Sequence, residues 1–205
     1  MHRGFVVQPT YRLREDRPVV QLFGRLESGG AFLVEDDRFR PYFFVAKRCE
    51  AALAGERDIR VEPTELRDLQ GREVVRVFAR TPAAVPHIRE RLLERGCEVL
   101  EGDIRFVYRY LIDRGIRGGI RIDGPHQPLE GGLLYFRNPE IHPARGFPKL
   151  HTLSIDLETS RDASRIFSIA LVGCGVDEVH LVSREPVEGA RDHPDERLEW
   201  RPIYS

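Results

Sequence analysis

The sequence predicts an α+β chain with three parts: a small antiparallel β module, a βαββαβ subdomain over about residues 41–104, and the first strands of a further domain. Short apolar runs alternate with turn signals near the amino terminus, two helical stretches interrupt the strands that follow, and a late apolar run carries two carboxylates. With 205 residues, 41% of them hydrophobic, the chain can bury one large core or two smaller ones.

The β module extends to about residue 40. Its apolar runs have the length of short strands, and Ser28-Gly29-Gly30 lies between two of them, as in a hairpin turn. The runs are GFVVQ, PVVQLFGRL and AFLVED. Neighbouring strands joined by such turns predict a small antiparallel sheet.

Residues 41–104 follow the order strand–helix–strand–strand–helix–strand, which is the split βαβ or ferredoxin-like arrangement. The predicted strands are PYFFVA, IRVEPTELRDL, REVVRVFAR and CEVLEGDI. The predicted helices are KRCEAALAG, ending at Gly55, and TPAAVPHIRERLLERG, ending at Gly96, because glycine commonly follows the last helical turn.

The same arrangement occurs in modules that bind RNA by stacking bases on aromatic residues of the central strands. The candidates here are Tyr42, Phe43, Phe44 and Phe78. No basic-glycine-aromatic signature surrounds them, so we expect most of them to lie in the core.

A strand pair is predicted for RYLIDRGIRGGIRIDG, and the Pro- and Gly-rich stretches PHQPLEGG and NPEIHPARGFPK predict connectors. The domain boundary is therefore expected between about Gly124 and Lys149. We assign residues 1–130 to the first domain, 131–149 to a connector and 150–205 to the start of a second domain.

Composition excludes several classes of protein. The net charge is −1 although 32% of residues are charged, so no overall field indicates a nucleic-acid partner. Three widely separated cysteines and scattered histidines argue against a disulfide framework or a zinc site. With a polar amino terminus and no long apolar run, the sequence predicts a soluble cytoplasmic protein without a membrane partner.

The stretch LSIDLET places Leu153, Ile155 and Leu157 on one face of a predicted strand, which we expect to be buried. Asp156 and Glu158 lie on the opposite face. Like charges this close repel each other unless a cation lies between them, and Mg²⁺ prefers such oxygen ligands. Two metal ions about 4 Å apart are a common device for phosphodiester cleavage. Because two further strands follow, in RIFSIALVGCG and VDEVHLVS, the pattern favours the start of a ribonuclease H-like nuclease domain.

The segment SIDLETS resembles the first exonuclease motif of family B DNA polymerases. Upstream segments resemble the same family in the same order: QLFGRLESGGAFLVEDDRFRPYFFV, TPAAVPHIRERL and EGDIRFVYRYLIDRGI. The segment LVGCG and the connector before FPKLHTLSIDLET resemble the bacterial DNA polymerase II branch most. The resemblance covers all 205 residues and implies the polymerase N-terminal domain followed by the start of the 3′–5′ exonuclease domain.

That resemblance implies a template-directed polymerase with proofreading. Asp156 would bridge two Mg²⁺ or Mn²⁺ ions and Glu158 would hold one of them. The implied partners are the DNA template and primer 3′ end, dNTPs and a sliding clamp, in a nucleoid-associated cytoplasmic location. The family's two further acidic motifs, N-x-x-x-F-D and Y-x-x-x-D, are absent here, so we expect a piece of a longer protein that is a very poor nuclease alone.

Archaeal members of the family carry a pocket that captures template uracil. The matching positions are Tyr11, Pro41, Tyr42, Phe106 and Arg109. Gly102 replaces a bulkier residue of the archaeal motif. The alternative is that Tyr42 and Phe106 belong to the core and Arg109 pairs with a nearby acid.

Two other functions stay open from sequence. One is a non-catalytic module that binds single-stranded nucleic acid, with Asp156 and Glu158 idle. The other is a scaffold without its own ligand. Dependence on metal separates the first from a nuclease, and salt-dependent binding separates either from a scaffold.

Overall fold

The computed structural model describes residues 1–146 and 150–182. The chain divides into two compact units, Met1–Pro148 and Lys149–Ser205. The division falls at the carboxyl end of the range expected for the domain boundary. The part of the predicted second domain beyond residue 182 lies outside the described residues.

In chain order the first unit contains β1 (His2–Arg14), β2 (Arg17–Leu26), β3 (Ala31–Asp36), β4 (Tyr42–Ala46), a 3-10 helix (Lys47–Gly55), β5 (Ile59–Arg67), β6 (Glu73–Ala79), α1 (Ala84–Glu94), β7 (Val99–Leu100), α2 (Phe106–Asp113), β8 (Gly119–Asp123), β9 (Gln127–Pro128), a 3-10 turn (Glu130–Gly132), β10 (Leu134–Arg137) and β11 (Glu140–Pro143). The second unit contains β12 (Leu153–Thr159), β13 (Ile166–Gly173) and β14 (Val176–Leu181).

A seven-stranded sheet, in the order β11-β8-β1-β2-β3-β10-β9, organises the first unit. The hairpin expected at Ser28-Gly29-Gly30 joins β2 and β3, with φ of 89° at Gly29 and 77° at Gly30. The sheet is larger than the small module predicted, and it is mixed, because β10 runs parallel to β3. That pairing joins segments about a hundred residues apart, so no local sequence pattern reveals it.

Two predictions near the end of this unit are wrong. The expected strand pair in residues 109–124 is the end of α2 followed by β8. Phe106 and Tyr110, four residues apart, are both buried, which is the spacing of one helix face. The expected connector 131–149 contains β10, which lies between β3 and β9, and β11, which forms the opposite edge of the sheet. Each of these strands has only four residues, and the Pro and Gly residues around them indicate turns, so the sequence pattern did not predict them.

The middle of the first unit forms a separate four-stranded sheet in the order β5-β6-β4-β7, with antiparallel neighbours throughout. Its elements follow the strand and helix order that the sequence predicts. Ile88 and Leu92 of α1 and Leu53 of the 3-10 helix pack in one cluster with the sheet. The first helix is 3-10, and its last residue, Gly55, lacks the left-handed conformation expected of a terminal glycine.

The second unit, in its described part, is an antiparallel three-stranded sheet in the order β12-β13-β14, as the sequence predicts. The expected burial of one β12 face is wrong for this structure. Leu153, Ile155 and Leu157 are 42%, 60% and 51% exposed. A sheet buries a face only against a second layer, and the described residues 150–182 contain these three strands and no helix.

None of the helices in the described ranges is long and apolar enough to cross a membrane.

Candidate metal and nucleic-acid sites

The register of β12 determines where its carboxylates lie. Asp156 is opposite Ala170 and Glu158 is opposite Ser168, so both acids share one face of the sheet. Both partners on β13 are small, which leaves space around the carboxylates. Both acids are exposed, as expected for ligands that meet a substrate or an ion from solution.

The two carboxylates alone would not complete a metal site. The backbone N–H of Leu157 donates to Asp156 Oδ1 at 3.1 Å. Within residues 1–146 and 150–182, no group of three or more His, Cys, Asp or Glu side chains could hold an ion. Two hard oxygen donors on one face suit Mg²⁺, which commonly takes one or two carboxylates together with substrate phosphate. The residues therefore fit such an ion but do not complete its coordination.

A structured turn follows the acidic strand. Asp162 accepts hydrogen bonds from the hydroxyls of Ser160, at 2.6 Å, and Ser164, at 2.9 Å. These hydroxyls, with the Ser164 backbone N–H, lower the pKa of Asp162 to about 2. The side chain is thus ionised at neutral pH and stabilises the connection that pairs β12 with β13.

The second predicted site is a cavity in the first unit, called here the apolar pocket. It encloses about 520 Å³ and is lined by all five residues predicted for a base pocket. Those residues are Tyr11, Pro41, Tyr42, Phe106 and Arg109. They come from β1, the start of β4 and α2, which are far apart in sequence and meet here.

Aromatic packing supports the walls of the apolar pocket. The rings of Tyr11 and Phe106 meet edge to face at 5.4 Å between centroids. The Tyr42 hydroxyl lies 2.8 and 2.9 Å from the carboxylate oxygens of Asp113, to which it donates. Burial and this carboxylate together raise the pKa of Tyr42 to about 12. Tyr42 is therefore a neutral, oriented ring at the pocket.

Arg109 and Phe106 also agree with the alternative given from sequence. Arg109 is 6% exposed and forms a 2.6 Å ion pair with Glu101. Its guanidinium lies 4.8 Å from the ring centroid of Tyr42, a cation–π distance. Phe106 is 7% exposed and belongs to the core. Arg109 thus packs against the Tyr42 ring at the pocket wall, and Phe106 connects that wall to the hydrophobic core.

Sequence reasoning missed several residues of the pocket. Pro9, Pro82, Pro86, Arg89 and Arg105 also line it. The clustering of prolines in PTY, RPY and TPAAVP was an available signal, because proline rings form rigid apolar surface.

Gly102 of the apolar pocket is fixed by close packing. A Cβ at this position would lie 2.9 Å from Val99 Cγ1, closer than side chains tolerate. A bulkier residue would therefore need the Val99 side chain or its surroundings to shift here.

The open face of the four-stranded sheet carries aromatic rings and arginines. Arg60 lies 4.3 Å from the Phe78 ring centroid and Arg76 lies 4.9 Å from that of Tyr42. Phe43 is fully buried in the core and Phe44 is 7% exposed. Only Tyr42 and Phe78 are partly accessible, so the surface offers few rings to a stacked base.

Comparison with known proteins finds no matching family model. DNA polymerase II of Escherichia coli is 30% identical over 153 residues, covering 75% of this chain and 19% of the relative. A DNA polymerase of Archaeoglobus fulgidus is 34% identical over 171 residues, covering 76% and 21%. DNA polymerase 1 of Pyrococcus abyssi is 32% identical over 202 residues, covering 91% and 22%.

One solved structure gives the same result for the fold. The family B DNA polymerase of Pyrobaculum calidifontis matches 89% of this chain and 27% of its own, with a TM-score of 0.68 and 25% identity. This chain therefore spans about a fifth of the length of the curated relatives named above, 19% to 22%.

Proposed function

We propose that this chain, which is homologous to DNA polymerases of family B, forms the N-terminal domain and the start of the 3′–5′ exonuclease domain of a template-directed polymerase. One observation carries the proposal: the similarity to DNA polymerase 1 of Pyrococcus abyssi covers 91% of the chain and so extends across both compact units. A polymerase II-like branch is proposed because DNA polymerase II of Escherichia coli is among the relatives.

The proposal includes the architecture of two parts of the chain, a ferredoxin-like subdomain and the start of a ribonuclease H-like domain. A ferredoxin-like subdomain is supported by the element order of residues 42–100 and by the strand order β5-β6-β4-β7. A ribonuclease H-like exonuclease domain is supported by three antiparallel strands with the acids on the first.

In the proposed exonuclease, Asp156 and Glu158 would hold two Mg²⁺ or Mn²⁺ ions, with Asp156 a ligand of both and Glu158 a ligand of one. Such a pair of ions activates water and stabilises the leaving 3′ oxygen when bound. The contribution of this chain is positional: β12 holds both carboxylates on one face, and small partners on β13 keep that face open. The remaining ligands would come from outside the described residues.

The apolar pocket is proposed to take an extruded template base. Its walls of aromatic and proline rings suit a flat apolar surface, and bases are commonly recognised by such stacking. Tyr11, Pro41, Tyr42 and Phe106 would contact the base, and Arg109 would hold Tyr42 in place. The partners proposed for the whole protein are template and primer DNA, dNTPs and a sliding clamp, in a nucleoid-associated cytoplasmic location.

The test uses the complete protein encoded by the source gene. We expect it to extend a primer with dNTPs and to digest the primer 3′ end when dNTPs are withheld. Asp156→Ala should abolish Mg²⁺-dependent digestion and preserve extension, because it removes a metal ligand only. Asp177→Ala, which removes an exposed acid from β14, is the matched control and should preserve both activities.

Two outcomes contradict this function. Absence of primer extension by the complete protein would refute the proposed polymerase activity. Extension with digestion that Asp156→Ala leaves intact would refute the metal role and favour a module whose two acids are idle.

A further inference from the structure

A second cavity of the first unit, called here the charged cleft, has no role in the function proposed above. It encloses about 380 Å³ and is lined only by charged residues. They are Glu15, Asp16, Arg17, Arg40 and Arg80. The lining thus combines three arginines with two acidic residues around one space that can hold a small anionic group.

The turn between β1 and β2 builds one side of the cleft. Arg14 pairs with Arg17 across the hairpin, so Glu15 and Asp16 form a two-residue loop. Both have positive φ, 49° and 58°, as a tight hairpin turn of this length requires. The turn fixes the backbone of Arg17 at the first position of β2, beside the cavity.

The arginines keep donors available for a ligand. Arg40 Nη1 donates to the backbone oxygens of Asp37, at 2.8 Å, and Phe39, at 3.1 Å, which orients its guanidinium. Among the described residues, the Nε and Nη2 atoms of Arg40 have no hydrogen-bond partner, and Arg17 has no ion pair.

The third arginine is paired only loosely. Arg80 lies 3.2 Å from Asp16 Oδ2 and 3.6 Å from Asp58 Oδ1. The three side chains are 56%, 68% and 65% exposed, and ion pairs this accessible contribute little. A phosphate can therefore replace Asp16 and Asp58 as the partner of Arg80 at a small cost in free energy.

The charged cleft lies next to the apolar pocket. Arg40 of the cleft immediately precedes Pro41 of the pocket, and Arg80 lies two residues before Pro82 of the pocket. The backbone N–H of Ala79 donates to the Pro41 carbonyl at 2.9 Å, which joins the two chain segments at this point. Consecutive Cα atoms are about 3.8 Å apart, so the two cavities are close neighbours.

We propose that the charged cleft is a phosphodiester-binding subsite for single-stranded DNA, which holds a backbone phosphate adjacent to the nucleotide whose base enters the apolar pocket. Arginine suits this ligand because its planar donors match phosphate oxygens in pairs. The choice of DNA rests on the proposed function; the presence of an anion subsite rests on the cleft itself. In this proposal the apolar pocket binds the base and the charged cleft binds the backbone phosphate, so the two cavities contact different parts of one strand.

The test measures binding of the 205-residue protein to a labelled 20-nucleotide single strand by fluorescence anisotropy from 50 to 200 mM NaCl. Arg17→Gln/Arg40→Gln should weaken binding at 50 mM about tenfold. It should also reduce the slope of log affinity against log salt by about 0.7, the value for one phosphate contact on a single strand. Arg25→Gln/Arg48→Gln removes the same charge from two exposed arginines outside both cavities and should change affinity less than about twofold.

Equal losses in the two double variants would overturn the subsite, because they would show a general charge effect. Absence of strand binding by the unaltered protein at 50 mM NaCl would overturn it as well. Failure of the base pocket gives a different result: strands with a central deoxyuridine and a central thymidine bind equally, while the salt slope still falls in Arg17→Gln/Arg40→Gln. Failure of the polymerase function is visible only in primer extension.

Discussion

The two compact units differ in what they bury. The first unit has two hydrophobic clusters, with Phe32, Phe43 and Tyr110 almost fully inaccessible. In the described part of the second unit no residue is fully buried, and Ile155 at the middle of β12 is 60% exposed. Both contain paired strands, and in β12 of the second unit apolar residues alternate with polar ones. Alternation is therefore enough to pair strands, but burial requires another layer that covers the apolar face.

Polar residues show the same contrast. Asp36 of the first unit is fully buried and accepts hydrogen bonds from the Tyr110 hydroxyl, at 2.8 Å, and from Arg38. Arg114 adds an ion pair at 3.3 Å. The two acids of the second unit, Asp156 and Glu158, are exposed. The buried acid stabilises a fold, while the exposed pair is available for a ligand.

The largest expected effect is Phe32→Ala. Phe32 is fully buried and packs over Gly4 and Gly24, where any Cβ would collide with its ring. Removing the ring leaves a cavity, so we expect the free energy of unfolding of the first unit to fall by about 3–5 kcal/mol. Urea denaturation followed by circular dichroism measures this. A loss below about 1 kcal/mol would show that the sheet collapses around the gap.

The next effect is that of Asp36→Asn. Burial raises the pKa of Asp36, but hydrogen bonds from Arg38 and Tyr110 outweigh it and hold the pKa below the usual value. The carboxylate therefore stabilises the fold at pH values above its unfolded pKa, about 4, and this contribution is lost as pH falls through the folded pKa. At pH 7 the variant should lose about 3 kcal/mol of folding free energy, because the partly exposed Arg38 and Arg114 lose the counter-charge of a buried carboxylate.

Urea midpoints at pH 7 and pH 3 test whether the stabilisation by the Asp36 carboxylate falls as the pH is lowered. The difference in stability between the unaltered protein and Asp36→Asn should shrink towards pH 3. Asp37→Asn, at a partly exposed neighbouring acid, is the control and should change stability little. A constant difference across this range would mean that Asp36 acts through packing and not through its charge.

The smallest effect is expected for Ile155→Ala. Its side chain is largely exposed, so the free energy of unfolding should change by less than about 0.5 kcal/mol in this 205-residue chain. The matched measurement is the same substitution in the complete protein of the proposed function. A loss of about 2–4 kcal/mol there would show that a further layer buries this face, while an unchanged value would show that the face stays open.

The sequence determined much of the strand pattern. The β2–β3 hairpin at Ser28-Gly29-Gly30 and the three strands around Asp156 depend on neighbouring residues, so local alternation and turn signals were sufficient to place them. The shared face of Asp156 and Glu158 follows from the same period of two. Their metal role stays a prediction, because no residue in the described ranges completes the site.

Tertiary structure decided the rest, because the contacts concerned join distant segments. Strand β10 pairs with β3, about a hundred residues away in sequence. A helix, α2, occupies part of an expected strand pair, because Phe106 and Tyr110 lie on one helix face that packs in the core with residues of the large sheet. The apolar pocket and the charged cleft likewise exist only where β1, β4 and their neighbours meet. Local patterns specify which strands form and which faces they present. Only the three-dimensional packing specifies which faces are covered and which enclose a space for a ligand.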